Sequence, residues 1–409
     1  MTQPNDPGTT FECRSCGAKL VFDAASQAMK CPFCTAKEAV QAAAPAQAAQ
    51  ALREIPIEEG LARATRGLGT QGSSVGCRDC GATVNVGPNE QTVKCSFCGS
   101  QQVLQQPADP NLIRPESLVP FKIPKEQGHD LFSKWVRSLW FRPSNLKHMA
   151  KVQEINGLYV PFWTFDSLVT SQWTAERGWH YTVTETYTTT ENGQTVTRTR
   201  QVTHTRWESA SGWRRDMFDD ELVCASKGLP QNLVVKFSTF NTRELVPYQP
   251  QFLAGWRAES YAIDLMPAWQ VAQQKMARTQ EGRCGSDVGG DTHRYLQVHN
   301  TFGNVTFKHV LLPIWIAAYR YNGKPYRFLI NGQTGEVVGE APWSVIKIVL
   351  FILLLLAIIG GIGAGYSVYQ SNRTSGSGPR ATTTSTVAPP AQPPPRNTQP
   401  TRPPTTKGR

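Results

Sequence analysis

Eight of the ten cysteines fall into two copies of one pattern, in which two CxxC pairs are separated by fourteen residues. The first copy is formed by Cys13, Cys16, Cys31 and Cys34, and the second by Cys77, Cys80, Cys95 and Cys98. Two CxxC pairs at this separation suit one tetrahedral zinc ion, because each pair supplies two thiolates from a tight turn. Four thiolates leave no ligand position for water or substrate. The pattern therefore predicts two structural zinc ions and no catalytic metal.

The two copies match beyond their cysteines, so the module is duplicated. The further matches are Arg14/Arg78, Gly17/Gly81, Ala18/Ala82, Gln27/Gln91, Lys30/Lys94 and Phe33/Phe97. Gly17 and Gly81 follow the second cysteine of the first pair, where the backbone must turn back towards the metal. The copies differ at Thr35, because the equivalent position is Gly99. We expect a looser outer turn in the first copy.

Disulfides or redox-active CxxC pairs are the alternative use of these cysteines. Met1–Thr10 is polar and has no apolar region typical of a cleavable signal, which favours a reducing compartment. In that compartment paired CxxC motifs indicate metal sites. A segment of some 25 residues cannot bury enough apolar surface to fold unaided, so the metal must supply the stability.

Ser344–Tyr366 predicts a single transmembrane helix, because about 20 apolar residues span a bilayer core. Lys347 is the one charge in this stretch and lies near its end. The alternative is a buried core helix. Lysine and arginine flank both ends, and their distribution favours a cytoplasmic N-terminal side. Zinc thiolates favour the same side. We therefore expect a single-pass membrane protein with its N-terminal ribbons and middle domain in the cytoplasm and the tail outside.

The net charge of +11 gives weak support for a nucleic-acid-binding fold, because the tail contributes about half of it. Its basic residues, with no acidic ones, are Arg373, Arg380, Arg396, Arg402, Lys407 and Arg409. The tail is rich in threonine and proline and has little to bury, so we expect it to be disordered. It suits a solvated spacer, a stalk or an O-glycosylation acceptor.

These features predict a multidomain chain with an α+β middle. The segments are zinc ribbon 1 (1–36), an Ala-rich linker with a short helix (37–74), zinc ribbon 2 (75–106), the middle domain (111–342), the transmembrane helix (343–369) and the tail (370–409).

Two sequence patterns organise the middle domain. Trp173–Trp213 alternates at period two around Asn192-Gly193, the preferred two-residue hairpin turn, and predicts a long β-hairpin. Its threonines suggest projection into water, either as a decorated loop or to bind a partner or second copy. Glu116–Phe165 and Glu259–Ala317 each place a strand, a helix and an apolar strand in order. These halves, with VPFW at 160–163 and LPIW at 312–315, predict two related αβ units.

Individual elements follow from the same patterns. We expect a strand at Leu118–Ile123, a helix at Asp130–Trp140 and a second helix from Ser144 to Ile155. Leu158–Phe165 predicts a buried strand. The tryptophans Trp135, Trp140 and Trp163 are expected in the core.

No nucleotide-binding loop of the GxxxxGK[ST] type and no HExxH motif occurs, which argues against an ATPase and against an HExxH metalloprotease. The remaining polar candidates are Asp287, Gly289-Gly290-Asp291 with His293, Lys308-His309, and Asp219-Asp220-Glu221. An enzyme would need a pocket converging on Asp291, His293 or His309. The alternative is a loop whose aspartate accepts backbone hydrogen bonds. Cys224 and Cys284 suit small buried residues.

One group of basic residues has two interpretations. Lys122, Lys125, Lys134, Arg137 and Arg142 are either an ordinary solvated surface or a surface that docks on anionic headgroups.

Several strings together resemble a family of bacterial membrane-anchored zinc-ribbon proteins. These are CRSCG…CPFC, CRDCG…CSFCG, LVPFKI, GLYVPFWTFD, FKHVLLPIW and NGQTGEVVGE before an apolar span. Members carry labels such as TFIIB-type zinc ribbon-containing protein, or primosomal protein N′ (replication factor Y), superfamily II helicase. The resemblance covers roughly residues 11–350 and implies no assigned function. The helicase label conflicts with the missing Walker loop.

The function that these features favour is a non-enzymatic, membrane-anchored adaptor, whose ribbons recruit an unknown protein partner. The alternative is nucleic-acid binding by the ribbons. That alternative needs a basic face to contact phosphates. Phe11–Ala36 has three basic and two acidic residues, and Val75–Val103 has two of each, so it is not favoured. The small-residue cluster Gly360–Gly365 leaves oligomerisation open.

Overall fold

The computed structural model describes residues 11–41, 44–45, 48–49, 52–63, 73–86, 94–98, 100–107, 111–146, 155–191, 193–237, 240–322 and 324–374. The chain divides into two compact units between Ser344 and Val345. The predicted tail lies almost wholly outside the described residues, as does most of the helix predicted from Ser144 to Ile155. Two clusters of four cysteines, a mixed α+β middle and one apolar C-terminal helix are present, as predicted for the fold class.

The first unit contains both cysteine modules and the middle segment. Its strands are β1 (Val21–Asp23), β2 (Ala28–Lys30), β3 (Lys37–Ala39), β4 (Ile55–Pro56), β5 (Ser73–Cys77), β6 (Thr83–Val86), β7 (Val103–Pro107), β8 (Ser117–Leu118), β9 (Asn156–Glu191), β10 (Gln194–Cys224), β11 (Val246–Pro247), β12 (Arg257–Ser260), β13 (Thr292–Tyr321), β14 (Lys324–Asn331) and β15 (Val337–Gly339). Its helices are α1 (Ile57–Arg63), α2 (Lys125–Ser138), α3 (Gln231–Val234) and α4 (Leu265–Asp287).

Three long antiparallel strands form the centre of this unit. β9 pairs with β10 from Glu191↔Gln194 to Phe162↔Cys224, and with β13 from Gly178↔Thr292 to Asn156↔Ile316. Gly193 turns the β9–β10 hairpin with φ 79°. The hairpin is therefore present, as the alternation around Asn-Gly predicted. It is longer than expected because its base continues into the core as sheet.

The strand order and pairing registers of the middle segment follow a two-fold symmetric pattern, which agrees with the two related halves expected from the sequence. β8, α2 and β9 repeat as β12, α4 and β13. β8 pairs in parallel with β13 at Ser117↔Val310, and β12 pairs in parallel with β9 at Arg257↔Leu158. Val310 lies two residues before LPIW, and Leu158 lies two residues before VPFW. The two parallel pairings are therefore at equivalent places in the two halves. Val160 pairs directly with its own equivalent, Leu312, so the axis passes through that pair.

Both longer helices cover the same face of the sheet, as this symmetry requires. Apolar side chains of α4 pack on β9 and β10 through Ala268, Trp269, Ala272 and Met276 against Trp163, Phe165, Val169 and Phe218. Phe132 and Val136 of α2 pack on Trp315 and Phe328. The opposite face is covered at its centre by the second cysteine module.

Three expectations for this region need correction. The strand predicted at Leu118–Ile123 ends at Leu118, because the N–H groups of Lys122 and Ile123 both donate to the carbonyl of Gly332. The helix predicted from Asp130 begins at Lys125, after Pro124, whose fixed φ suits a helix start. Trp140, expected in the core, lies beyond this helix and is 78% exposed, whereas Trp163 is fully buried.

The second unit is described by its helix α5 (Val345–Thr374). Val345–Tyr369 has a mean hydropathy of 3.0, and the helix is long and apolar enough to cross a membrane. No other described helix combines that length with that composition.

Candidate metal centres and polar clusters

The structure brings the eight predicted cysteines together as two separate groups of four sulfurs. In the first module, Sγ of Cys13 lies 3.5 Å from Sγ of Cys34, and Cys16 lies 3.5 Å from Cys31. The second module repeats this arrangement with 3.6 Å for Cys77–Cys98 and 3.6 Å for Cys80–Cys95. All four sulfurs of each group lie within 4.8 Å of one another.

These distances fit a tetrahedral metal ion. A zinc–sulfur bond of about 2.3 Å places neighbouring sulfurs about 3.8 Å apart in a regular tetrahedron. Both groups come close to this spacing, and all ten cysteines remain reduced. The two sets can therefore each hold one metal ion through four thiolates.

Backbone N–H groups favour the anionic form of one sulfur in the second CxxC pair of each module, Cys31 and Cys95. The N–H of Cys34 donates to Sγ of Cys31 at 3.5 Å, and that of Phe97 donates to Sγ of Cys95 at 3.4 Å. The first of these bonds is the main cause that lowers the pKa of Cys31 to about 6. For Cys95, hydrogen bonding from the Cys80 thiol leads and backbone bonds contribute, lowering its pKa to about 5.

The turn glycines have the conformation that the sequence predicted. Gly17 has φ 72° and Gly81 has φ 75°, both in the left-handed region. Thr35 has φ 60° in the outer turn of the first module, where a β-branched residue is strained. The N–H of Thr35 nevertheless closes the turn by donating to the carbonyl of Cys31 at 3.2 Å.

Thr35→Gly should stabilise the first module, because glycine adopts this φ without the steric cost. We expect a gain of about 1 kcal/mol, seen as slower release of that module's metal to a chelator. Thr9→Gly is the matched control outside the turn. Equal metal release from Thr35→Gly and the unmodified chain would show that the turn is not strained.

The first module docks on the middle segment through the side away from its cysteine turns. Trp256 donates from Nε1 to the carbonyl of Phe22 at 2.9 Å, and the N–H of Phe22 donates to Ala254 at 2.9 Å. Phe22 also packs edge-on against Phe252, with ring centroids 5.1 Å apart. Its cysteine turns remain on the surface, and residues 14–17 and 32–35 are all exposed.

The second module is built into the sheet and the core. β6 pairs with β12 from Asn85↔Ala258 to Thr83↔Ser260, on the side of β12 away from β9. Phe97, inside the second CxxC pair, is 2% exposed and belongs to the core with Val160 and Leu312. A Cβ atom on Gly228 would lie 2.9 Å from the Phe97 ring, so glycine is needed for this close approach. The predicted ribbon boundaries therefore divide segments of one compact unit.

The duplicated modules consequently differ at one matched position. Phe33 and Phe97 occupy the same place in the second CxxC pair, yet Phe33 is 80% exposed and Phe97 is buried. The sequence showed the match but gave no sign of this difference, because it depends on which module borders the sheet.

Comparison with known proteins gives one distant relative and no family assignment. Over 246 residues the chain is 28% identical to Uncharacterized protein YdjG of Bacillus subtilis (strain 168). The match covers 57% of this chain and 65% of the relative, so the chain spans less than two thirds of that protein. No family model matches the chain. No solved structure matches it.

Glu259 is a buried acid beside the second module that sequence reasoning missed. It pairs with Val84 of β6 and is 1% exposed. Its Oε1 accepts a hydrogen bond from Ser226 at 2.8 Å, and burial raises the pKa of Glu259 to about 8. An acidic residue within the strand string AES is the only sequence signal.

The free energy of unfolding should fall as the pH rises from about 4.5 to about 8. In that window the unfolded chain loses the Glu259 proton while the folded chain keeps it, so ionisation favours unfolding. Glu259→Gln should remove a few kcal/mol of this dependence, because the amide never ionises. Urea unfolding at pH 5 and pH 8 measures it. An unchanged difference between the two pH values would contradict the assignment.

The polar candidates from the sequence do not converge on one pocket. Asp291 accepts a hydrogen bond from the backbone N–H of His180 at 2.7 Å, and Asp287 forms an ion pair with Arg214 at 2.7 Å. His309 is buried, its Nδ1 lies 2.8 Å from the carbonyl of Ile113, and burial lowers its pKa to about 4. By register, His293 and His309 are about 45 Å apart along β13. Asp291 thus accepts a backbone hydrogen bond, as the alternative interpretation expected, whereas Asp287 pairs with a side chain.

Two of the candidate clusters meet in a network that the sequence did not connect. Lys308 Nζ lies 3.5 Å from Asp220 and 3.0 Å from Glu54. Asp166 lies among them; burial, reinforced by Glu54, raises its pKa to about 7. Despite burial, hydrogen bonds that include Asp166 lower the pKa of Glu54 to about 2. Lys308 supplies the positive charge that balances these carboxylates. Because Glu54 precedes α1 and Lys308 lies on β13, the network links the segment before α1 to the sheet.

Two smaller groups complete the comparison with the sequence. Cys224 and Cys284 are both buried, as expected for small core residues. Of the basic residues considered for headgroup docking, Lys122 forms an ion pair with Glu244 at 2.6 Å, and Arg142 stacks on Trp343 at 3.7 Å. These two are therefore engaged within the unit.

Proposed function

We propose that the chain is a membrane-anchored, non-enzymatic adaptor that holds two structural zinc ions and binds a protein partner through its first ribbon. The observation that supports this most strongly is the opposite exposure of Phe33 and Phe97. In the second ribbon the phenylalanine is covered by the chain itself. In the first, the same apolar residue stands in water on a turn held by four thiolates.

The geometry supports a recognition role for this turn. A metal-bound turn is rigid, so a partner that covers Phe33 loses little conformational entropy in ordering it. Burying an aromatic ring contributes a large share of binding energy, and such residues are frequent anchors in interfaces. The first ribbon is fixed to the middle segment by Phe22 and Trp256, so its exposed turns face outward from a stable base.

Zinc is the metal in this proposal, because four thiolates at tetrahedral spacing are its usual structural set. We further propose that α5 spans the cytoplasmic membrane, with the ribbons on the reducing, cytoplasmic side. The resemblance to membrane-anchored zinc-ribbon proteins agrees with this arrangement. A single reporter placed after Arg409, in a tail that has no cysteine of its own, tests this arrangement by its accessibility. A reporter that lies in the cytoplasm would contradict the arrangement.

Phe33→Ala tests the recruiting role. The full-length chain would be fused to a proximity-labelling enzyme in its native host, and labelled proteins compared between variants. Phe33→Ala should lose a defined set of proteins that the matched control Leu104→Ala retains, since Leu104 is also an exposed apolar residue, 52% exposed, but lies on the second ribbon. Identical sets for all three chains would remove the adaptor function.

The alternative of nucleic-acid binding has a separate signature. Phosphate contacts would make retention fall steeply with salt. The first ribbon offers little excess charge, and Arg14 already lies 3.7 Å from Glu38. Salt-dependent retention of the full chain on single- or double-stranded DNA or RNA, with Phe33→Ala unaffected, would favour this alternative instead.

A further inference from the structure

We propose that one exposed face of the central sheet binds a linear, uncharged oligosaccharide. This surface, called here the Thr174 face, is formed by Gln172, Thr174, Ser211, Gln297, Trp213 and Tyr295. The residues come from the adjacent strands β9, β10 and β13, on the side of the sheet opposite α4. It is independent of the ribbon proposed to bind a protein.

The face is a shallow depression, with both polar and apolar lining, between two exposed rings. One open depression, of about 670 Å³, is lined by Gln172, Thr174, Ser211, Trp213 and His299 among others. A second, of about 360 Å³, adjoins it and shares Thr174, Ser211 and Gln297. Together they form one trough that crosses three strands.

Aromatic rings stand at both ends of the trough. Trp213 is 69% exposed and Tyr295 is 71% exposed. From the pairings Trp213↔Gln172 and Gln297↔Thr174, the two residues lie on the outer strands about 15 Å apart. That separation accommodates several sugar rings. Apolar C–H faces of sugars pack on aromatic rings, while their hydroxyls need neutral donors and acceptors between them.

Tyr295 lies in a strained backbone conformation. Tyr295 sits in the β13 bulge between Arg294 and Gln297, with φ 55°. A bulky residue in the left-handed region is strained, and such strain collects at functional sites. The adjacent Arg294 is held between Trp207, at 4.1 Å, and Tyr295, at 5.0 Å. The bulge thus directs a large aromatic ring into solvent where glycine would be unstrained.

The charges around the trough favour a neutral ligand. Arg294 forms an ion pair with Glu176 at 2.6 Å, so the end beside Tyr295 is balanced. Between the rings, hydroxyl and amide side chains predominate among the polar groups, beside His299, Glu176 and the apolar Val298 and Ala210. Nucleic acids draw most of their non-specific affinity from phosphate contacts, for which the trough provides no cluster of cations. Uncharged polyhydroxyl chains match its chemistry better.

The test uses the full-length chain in lipid nanodiscs, which avoids sugar-containing detergents. Cellohexaose and chitohexaose would be titrated by calorimetry and by tryptophan fluorescence. We expect saturable binding of at least one, weakened about tenfold by Trp213→Ala, as for loss of one aromatic contact. Tyr295→Gly should weaken binding as well while leaving thermal stability equal or higher, because glycine relieves the strained φ. A lost site is thereby separated from a lost fold.

Tyr181→Ala is the matched control, because Tyr181 is 50% exposed and lies on β9, the strand of Thr174, but on the opposite face of the sheet. It should bind both sugars like the unmodified chain, and so should Phe33→Ala. Absence of binding to both hexasaccharides, or equal affinity in Trp213→Ala, would overturn the proposal. Salt-sensitive binding of a single-stranded oligonucleotide that Trp213→Ala abolishes would overturn it in favour of nucleic acid.

Discussion

Cys95→Ser should unfold most of the first unit, whereas Cys31→Ser should unfold only the first ribbon. Each substitution removes one thiolate from a four-sulfur site, and structural zinc contributes on the order of 10 kcal/mol in small zinc-binding peptides. The consequences differ because the second ribbon forms part of the core, with Phe97 packed against the sheet. The first ribbon lies outside that core and docks mainly through Phe22.

Zinc content and thermal unfolding of the full-length chain distinguish the two results. Both variants should lose about half of the bound zinc. Only Cys95→Ser should lower the main transition, by about 7 °C for a loss of about 5 kcal/mol in a unit of this size. Cys284→Ser is the control for a buried cysteine outside the metal sites. Equal effects of Cys31→Ser and Cys95→Ser on the main transition would show that the second ribbon is not part of the core.

Phe97→Ala should destabilise the first unit by about 3–5 kcal/mol, the usual cost of removing a large buried aromatic side chain. Phe97 is 2% exposed and Gly228 lies close against its ring, so little can move in to fill the space. Phe33→Ala, the same change at the matched position, should alter the free energy of unfolding by no more than about 0.5 kcal/mol. Urea unfolding at constant zinc concentration measures both.

Comparing Phe33→Ala with Phe97→Ala separates the effect of the residue's position in the fold from the effect of the atoms removed. Both variants lose the same atoms from the same place in a CxxC pair, and both keep all four thiolates. A destabilisation by Phe33→Ala comparable to that by Phe97→Ala would mean that the exposed turn is covered in the folded chain, and the proposed partner surface would then be lost.

Local patterns in the sequence predicted the parts of this structure that depend on neighbouring residues. The CxxC spacing identified the two four-sulfur groups, the alternation around Asn-Gly located the hairpin, and the apolar run from Ser344 located the last helix. Each depends on chemistry within a short segment, where spacing alone carries the information.

The contacts between distant segments could not be predicted in the same way. Phe33 and Phe97 are equivalent in sequence, but only the second borders β12. The sequence presented Asp219-Asp220 and Lys308 as separate polar clusters, because their contact depends on the register of β9 with both of its neighbours. The exposed Trp140 shows the same limit: helical spacing predicted a core residue, but the helix ends at Ser138.

The internal symmetry also shows which task the second ribbon performs for the sheet. Leu118 of β8 is bordered by Val246 of β11, and at the equivalent place Ala258 of β12 is bordered by Asn85 of β6. One border strand is therefore supplied by the segment between the halves, and the other by a hairpin that a metal bound to the second ribbon would hold. Removing that metal would leave β12 with unpaired backbone groups able to bind another chain.

Zinc deprivation should thus convert monodisperse protein into strand-exchanged aggregates, which light scattering would detect. Full solubility after complete chelation would argue against this. Metal supply then becomes a condition for colloidal stability as well as for folding.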